Sequence, residues 1–300
     1  MQWWLFLLAF LPPILFAVGN LWESQISNGV FKYWKSSKFY SAATNMLVIP
    51  LLFLFGDGPR MAWSAGIMLA AGYVAIQMCW SWLYFYALRR IDVSTGQAVW
   101  SLGSAVVPVS AATLFGEAVG VGLALGFFLV LAASIIMCVD DFKRPRLGVG
   151  FFMMLAVSLM YYGGIMVGKQ ALQSMSWPSF FFWILIAEFL VSMTFLIPKK
   201  WRAGIVGDFA QYKKNFAMFF GYEFMQFGLF AVFLFLLATI PVVVKEGVAN
   251  TQPLFNLAFA CLLARFGLKG RIREDLARGA VLRKVVCIFA MIAGCMMMVL

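Results

Sequence analysis

The chain has 300 residues, of which 64% are hydrophobic and only 12% are charged. A soluble domain carries about 25% charged residues. Apolar runs of about 18 residues or more, the length that crosses a bilayer as a helix, recur along the sequence. This composition excludes an ordinary soluble domain and predicts an all-α integral membrane protein.

Residue counts narrow the chemistry further. The chain has no histidine, which excludes histidine-based catalysis, histidine metal ligation and a histidine proton relay. Its five cysteines lie in apolar segments without a CxxC pair, so neither a disulfide framework nor a zinc site is expected. We expect no metal site and no cofactor. The sequence pI of about 9.6 does not indicate nucleic acid, because the basic residues lie in loops between apolar segments.

The chain begins MQWWLFLLAF, without the basic segment of a signal peptide, so we interpret the first apolar stretch as a membrane helix. The apolar segments predict ten transmembrane helices. In chain order they cover residues 3–31, 38–57, 64–88, 91–115, 119–139, 148–172, 178–197, 214–238, 241–264 and 282–300.

The basic residues predict the orientation of these helices. Of the 23 lysines and arginines, all but Arg60, Lys169 and Lys245 lie in or next to the loops that follow helices 1, 3, 5, 7 and 9. Loops rich in lysine and arginine stay on the cytoplasmic side of a membrane. We therefore expect a multi-pass protein of the cell (inner) membrane with both termini outside.

An internal repeat is visible in the sequence. The pattern Gly-Tyr-x-x-x-Gln occurs as GYVAIQ at 72–77 and as GYEFMQ at 221–226, and the two copies are 149 residues apart. Other identical pairs, such as Val99 and Val248, keep the same spacing. A constant register from helices 1 and 6 to helices 4 and 9 indicates a duplication.

The duplication predicts an inverted architecture. Residues 1–143 form the first five-helix repeat and residues 144–300 the second, which must cross the membrane with opposite polarity because five is odd. The charges agree, since Arg89 and Arg90 follow helix 3 whereas the equivalent loop, ATIP at 238–241, has no basic residue. Inverted repeats are characteristic of secondary transporters, whose substrate binds near the membrane midplane around a central cavity.

Polar and aromatic side chains recur on single faces of the predicted helices. On helix 3, Tyr73, Gln77 and Trp80 share one face because they are spaced by four and three residues. Polar groups that face lipid are costly, so we expect these faces to line a shared interior cavity. The predicted substrate-binding residues are Asn20, Glu23, Tyr73, Gln77, Trp80, Gln97, Trp100, Ser101, Lys169, Tyr222, Gln226, Lys245 and Asn250.

Each of these assignments has a structural alternative that the sequence leaves open. The polar side chains could instead hold the bundle together by interhelical hydrogen bonds, worth about 0.6 kcal/mol per pair. Lys169 and Lys245 could hold an anionic substrate group near the outer mouth, or extend their amines to the membrane surface. Gly122-x-x-x-Gly126 is interpreted as a close helix contact.

Acidic residues within apolar segments are the candidates for ion coupling. A charge at the bilayer centre costs about 2.5–3.5 kcal/mol, so it persists where it pairs or performs a function. Glu246 is the first candidate, because it corresponds to Gln97 in the repeat. Glu188 and Glu223 are further candidates, with pairing to a lysine as the alternative. Lys245 faces about 100° away from Glu246 on an ideal helix, so we expect that the two cannot simply pair.

Three segments carry a family resemblance. They are FAVGNLWESQISN at 16–28, ALRRIDVSTGQAVWSLGSAVVPVSAATLFGE at 87–117 and LLATIPVVVKEGVANTQPLFNLAFACLLARFG at 236–267. Together they resemble the ten-helix EamA-type transporters of the drug/metabolite transporter superfamily. The chain departs from the family pattern at Ser104, where a proline is usual, and at Phe266, which replaces a terminal glutamate.

The resemblance implies two five-helix repeats around a cavity and the carriage of small metabolites. We expect a secondary active transporter of a small organic solute, amino acid-like or an amine, that works by alternating access, coupled to an ion or proton or by exchange. The alternatives are a carrier or flippase for a lipid-linked compound and a non-transporting membrane scaffold. No catalytic cluster or P-loop is visible, so an enzyme and an ATP-driven pump are not expected.

The expected partners follow from this interpretation. They are a small-molecule substrate and membrane lipid, and no nucleic acid. Whether the protein forms a homodimer is left open.

Overall fold

The structure is a computed structural model that describes residues 3–19, 31, 34–55, 58–60, 65–88, 99–138, 148–265 and 278–298. Within these ranges the chain is helical throughout and has no β-strand, which confirms the predicted helical class. The helices are α1 (Trp3–Leu8), α2 (11–19), α3 (Trp34–Val48, continued by a 3₁₀ helix at Ile49–Leu54), α4 (Ala65–Leu88), α5 (99–103, continued by a 3₁₀ helix at Ser104–Val106), α6 (Val107–Phe115), α7 (Val121–Cys138), α8 (Val149–Leu172), α9 (Trp177–Met193, continued by a 3₁₀ helix at Thr194–Leu196), α10 (Lys199–Lys214), α11 (Phe216–Thr239), α12 (Val242–Ala249), α13 (Gln252–Arg265) and α14 (Arg278–Met297).

Five helical segments are long and apolar enough to cross a membrane, judged by length and composition. They are Trp34–Leu54, Ala65–Tyr84, Val149–Leu172, Trp177–Leu196 and Phe216–Thr239. Four shorter apolar segments accompany them within the described residues, at Trp3–Gly19, Val99–Phe115, Val121–Ile136 and Val285–Met297. The long segments suit the chain to association with a membrane.

Two helices predicted to be continuous are interrupted. The helix predicted at 3–31 has a turn at residues 9–10, just before Pro12 and Pro13. The helix predicted at 241–264 is divided into α12 and α13 by a turn at residues 250–251. A proline inside a helix removes one backbone hydrogen bond and clashes with the preceding turn, and Pro253 has this effect on the second helix.

A further helix, α10, lies in a segment that was interpreted as a basic loop. It begins after Pro198 and ends at Asn215, whose Nδ2 donates to the carbonyl oxygen of Gln211 at 2.9 Å. The helix has lysines at both ends and a buried Asp208 in its middle. Its amphipathic sequence contains no long apolar run, so a search for membrane-spanning stretches passes over it.

The chain divides into two compact units. The first comprises Met1–Ala17, Ala75–Val167 and Thr239–Leu300. Within it, α14 packs most extensively against α7, and the two helices run antiparallel, since Gly126 lies opposite Gly294 and Gly122 opposite Met297. A Cβ atom on Gly126 would lie 2.5 Å from the carbonyl oxygen of Gly294. The predicted close helix contact at Gly122-x-x-x-Gly126 is thereby confirmed at its second glycine.

The second unit comprises Val18–Val74 and Gly168–Ala238. Within it, α3 packs against α9, again antiparallel. The Trp34 and Phe195 rings are 5.8 Å apart at one end, and the Phe53 and Phe182 rings are 6.4 Å apart at the other. Aromatic edges and faces therefore supply much of the packing of this unit.

We expect Gly126→Ala to destabilise the protein, because the new methyl group would collide with backbone that cannot rotate away. Overpacking of this kind costs about 1–3 kcal/mol. The matched control is Gly122→Ala on the same helix, where the added Cβ would lie 3.6 Å from the Met297 carbonyl oxygen, an ordinary contact. Thermal unfolding of the purified protein in detergent measures both, and equal midpoints would contradict the close contact.

Candidate functional site

Two irregular helical segments meet in the first unit. In one, the 3₁₀ turn Ser104–Val106 tightens the helix between α5 and α6, and in the other a turn separates α12 from α13. Asn250, at the end of α12, donates from Nδ2 to Ser104 Oγ at 2.9 Å, and that hydroxyl donates to the Ser101 carbonyl oxygen at 2.7 Å. The side chains of these three residues are buried.

Further polar groups extend this network. The hydroxyls of Ser101 and Ser134 are 3.0 Å apart and hydrogen-bonded, which joins α5 to α7. Tyr162 of α8 is 3% exposed and lies close to Ser104 and Glu246. Four helices therefore contribute polar side chains to one buried region, of which sequence analysis singled out Ser101 and Asn250 as binding residues.

The buried region includes an ion pair between sequence neighbours. Lys245 Nζ donates to Glu246 Oε1, and the two side chains are 3% and 1% exposed. The expectation that the two cannot pair is wrong. The helical projection separates their Cβ directions, but the four-carbon stem of a lysine is long enough to bring its amine around the helix to the neighbouring carboxylate.

Glu117 fixes the start of α12. Its Oε1 and Oε2 accept hydrogen bonds from the Val242 N–H at 3.0 Å and 2.9 Å. Gly116 allows this placement, because it ends α6 with a φ of 64°, in the left-handed region that favours glycine. A carboxylate at a helix N-terminus satisfies an otherwise unpaired N–H and interacts favourably with the helix dipole.

Aromatic rings form a cluster in the same unit. The Trp80 and Trp100 rings, both predicted to line the binding region, are 5.7 Å apart between centroids. Tyr161 lies 4.7 Å from Trp100 and 5.8 Å from Trp80. Tyr84 adds a fourth ring at 5.8 Å from Trp100. All four side chains are partly exposed.

Two buried polar atoms of α4, close in sequence to Trp80 and Tyr84, have no hydrogen-bond partner among the described residues. They are Gln77 Oε1 and Ser81 Oγ, which lie one helical turn apart on α4. Buried polar atoms are nearly always hydrogen-bonded, so an unpartnered pair on one helix face marks a place for water or a polar ligand group.

The remaining described candidates lie in the second unit. Tyr73 is buried and packs with Phe180 at 5.8 Å, and Lys169 Nζ donates to the Leu237 carbonyl oxygen at 2.9 Å. Leu237 is in the last turn of α11, where carbonyl groups lack partners within the helix and cations are favourable. Lys169 therefore acts as a helix-capping residue in this structure.

Two polar candidates of α11 have distinct surroundings in this unit. Gln226 lies beside Gly19, since a Cβ atom there would approach its Nε2 at 3.0 Å. Tyr222 packs against the apolar cluster that contains Tyr40 and Phe219.

The two further acidic candidates are also placed in the second unit. Glu188 is 7% exposed, with Lys38 as a nearby positive charge, and Glu223 is 4% exposed. Three predicted binding residues, Asn20, Glu23 and Gln97, lie outside the described residues.

The predicted binding residues do not include Ser104, Tyr162 or Glu117, although Ser104 lies on the same polar face of predicted helix 4 as Gln97 and Ser101. Ser104 follows Ser101 by three residues, which is one helical turn, so its periodicity carried a signal. Tyr162 belongs to the Tyr161-Tyr162 pair inside an apolar helix, and a buried tyrosine hydroxyl needs a partner. Glu117 ends the segment at 87–117 that carries the family resemblance, but only the fold brings it to α12.

The described residues do not include a cluster of metal-binding side chains. No group of three His, Cys, Asp or Glu side chains in the described ranges could hold a metal ion. The buried region is instead a set of hydrogen-bonding groups with one internal ion pair.

Comparison with known proteins concerns the fold alone. No protein-family model matches the chain, and no curated protein matches it. It matches 28 chains of solved structures. One of them, described only as "Crystal structure of protein", is similar with a TM-score of 0.64 at 12% identity over 98% of this chain and 94% of that one. At this identity the likeness shows a shared fold.

We expect Lys245→Met to destabilise the protein strongly, because it leaves the Glu246 carboxylate buried without its cation. Breaking a buried pair from one side costs about 3–5 kcal/mol. The double substitution Lys245→Met with Glu246→Gln removes both charges and should recover most of that loss. A double-mutant cycle of unfolding midpoints in detergent tests this, and additive losses would argue against the pair.

Glu117→Ala should destabilise α12, because the Val242 N–H loses both of its acceptors. Loss of a helix cap costs about 1 kcal/mol. Glu117→Gln keeps one acceptor oxygen and should cost less. Hydrogen exchange at the start of α12 is the direct measurement, and the capping role is excluded if the alanine and glutamine variants exchange alike.

Proposed function

We propose that the chain is a secondary active transporter that moves a small organic solute across a membrane by alternating access. One observation carries the proposal. One apolar helix tightens to a 3₁₀ turn and another is interrupted near the corresponding position of the repeat, and the two places are joined by the Asn250–Ser104 hydrogen bond beside a buried ion pair. In transporters, interrupted helices in corresponding positions of two repeats mark the substrate and ion site.

The register of the repeat supports this assignment. At the spacing of 149 residues, Ser101 corresponds to Asn250 and Ser104 to Pro253. The two places therefore fall within one helical turn of each other in the aligned repeats. Freed carbonyl groups and polar side chains at such breaks are available to coordinate a solute or an ion.

We propose ten transmembrane helices in two inverted five-helix repeats. The antiparallel packing of α7 with α14, and of α3 with α9, supports inversion, because each pair consists of helices that overlap at the repeat spacing. A duplication inserted with opposite polarity makes such helices antiparallel neighbours. The proposed membership is of the EamA-type group of the drug/metabolite transporter superfamily, in the cell membrane with both termini outside.

Side-chain chemistry suggests the class of solute. The partly exposed aromatic side chains of Trp80, Trp100 and Tyr161 suit a planar or cationic group, which aromatic rings attract. Gln77 Oε1 and Ser81 Oγ, which have no partner among the residues that the structure describes, suit a hydrogen-bond donor such as an amine or amide. These features favour an amine or amino acid-like solute.

Glu246 is the proposed coupling residue, and its contact with Lys245 gives it a mechanism. A proton or cation that reaches the carboxylate competes with the lysine amine for the same oxygen. Release of the amine changes the charge beside Asn250, one turn further along α12. Coupling by this route requires that the pair open during the transport cycle.

Proteoliposomes test the proposal. Purified protein is reconstituted and offered a panel of amino acids, amines, nucleotides and sugar phosphates under an imposed pH gradient. We expect gradient-driven accumulation of one compound class by the wild type. Accumulation should fall to the level of empty liposomes with Glu246→Gln, because the coupling carboxylate is gone.

The controls separate coupling from folding. Each variant is first shown to be folded at the assay temperature by its elution from a sizing column and a cooperative unfolding transition, with a lower midpoint expected for Glu246→Gln because Lys245 loses its buried partner. Lys214→Gln, at the exposed end of α10, is the matched control and should transport normally. Gradient-driven transport that persists in Glu246→Gln would move coupling to Glu188 or Glu223. No flux of any compound by folded protein would reject the transporter and favour a lipid-linked carrier or a scaffold.

A further inference from the structure

Helix α10 presents an exposed stripe that mixes basic and apolar side chains. Lys199, Arg202, Val206, Phe209 and Lys213 follow one another at spacings of three or four residues, which places them on one face of the helix. Val206 is 65% exposed and Phe209 is 54% exposed, and the three basic side chains are exposed as well.

A different face of α10 packs against α3 of the same unit. The Tyr40 hydroxyl of α3 donates to the Ile205 carbonyl oxygen at 2.6 Å, and the Tyr40 and Tyr212 rings stack at 4.3 Å. The Lys35 amine lies 3.2 Å from the centroid of the Trp201 ring. Asp208 is the one acidic residue of α10 against five basic residues, so the helix keeps a net positive charge.

The position of α10 in the chain brings its stripe to a membrane surface. The helix follows the span-length segment Trp177–Leu196 by two residues and precedes the segment Phe216–Thr239 by one. Connections this short reach only about 10 Å. If both neighbours cross a bilayer, their adjoining ends lie at one surface, and a helix of 16 residues, about 24 Å long, must stay near the headgroups.

We propose that the stripe of α10 binds the headgroups of anionic phospholipids. The inference rests on the membrane-spanning part of the proposed function and adds a lipid site to it. Phe209 and Val206 insert at the boundary of headgroups and acyl chains, as apolar faces of interfacial helices do. Lys199, Arg202 and Lys213 contact lipid phosphates, and the complementary charge is the reason for choosing anionic lipid as the occupant.

The test uses full-length protein in nanodiscs of phosphatidylcholine with increasing fractions of phosphatidylglycerol. Amide hydrogen exchange over residues 199–214 is measured at each composition. We expect exchange in this segment to slow as phosphatidylglycerol increases. Each basic side chain near an anionic surface changes binding roughly five-fold, so Arg202→Gln with Lys213→Gln should weaken it roughly 30-fold and abolish the response.

A charge-matched double variant is the control. Lys200→Gln with Lys214→Gln removes the same charge from another face of α10, and it should keep the response to phosphatidylglycerol. Val206→Asn with Phe209→Asn should reduce protection even where the basic residues remain, because the apolar contact is lost. An acidic protein partner, or free phosphate, would not require those two apolar side chains.

Several outcomes would overturn the proposal. Exchange over 199–214 that does not depend on phosphatidylglycerol, or that changes equally in the two charge-matched variants, rejects the lipid site. Amide hydrogen exchange in α11 distinguishes failure of the lipid site from failure of the proposed membrane-spanning function. Protection of α11 in both lipids with no response of α10 rejects the lipid site alone. A chain that does not enter nanodiscs rejects the membrane-spanning interpretation and the lipid site with it.

Discussion

In apolar surroundings every backbone N–H and C=O group needs a partner within the protein, and the interrupted helices of the first unit depend on meeting that need. The α12 helix has only eight residues, so its ends make up most of its length. Its N-terminus receives the Glu117 carboxylate. At its other end, Thr251 Oγ1 donates to the Val248 carbonyl oxygen at 2.7 Å. Side chains therefore complete the hydrogen bonding that the interruptions break.

Close approach of backbones is the second requirement for this arrangement. A Cβ atom on Gly247 of α12 would lie 2.4 Å from the Met298 sulfur and 3.2 Å from the Phe127 ring. A Cβ atom on Gly103 of α5 would lie 1.8 Å from Ser158 Oγ. Both irregular helical segments thus carry a glycine where they touch a neighbour. Small residues at helix contacts bring polar backbone and side chains within hydrogen-bonding distance, which larger residues would prevent.

The helical class and the membrane-length segments could be predicted from the sequence, because long apolar stretches recur along a chain in which 64% of residues are hydrophobic. The interruption near Asn250 was harder to predict, since Pro253 permits either a kink or a break, and tertiary contacts decide between them. Helix α10 was missed because its apolar residues are interspersed with lysine and arginine. A search for amphipathic spacing would have found it.

The candidate site was partly predictable for the same physical reasons. Trp80 and Trp100 were both predicted to line the binding region, and their ring centroids are 5.7 Å apart. The Lys245–Glu246 contact was not predicted, because a helical projection records the directions of side chains and ignores their length. Glu117 could not be assigned to α12 from sequence, since 125 residues separate it from Val242 and nothing local links them.

The contact between Lys245 and Glu246 has a consequence for biosynthesis. The partners are adjacent in sequence, so their charges can neutralise each other as soon as this stretch of chain has left the ribosome. No distant segment has to arrive first, in contrast to an ion pair that closes a long loop. The charges of the segment Val242–Ala249 can therefore be neutralised before the rest of the protein has assembled around it.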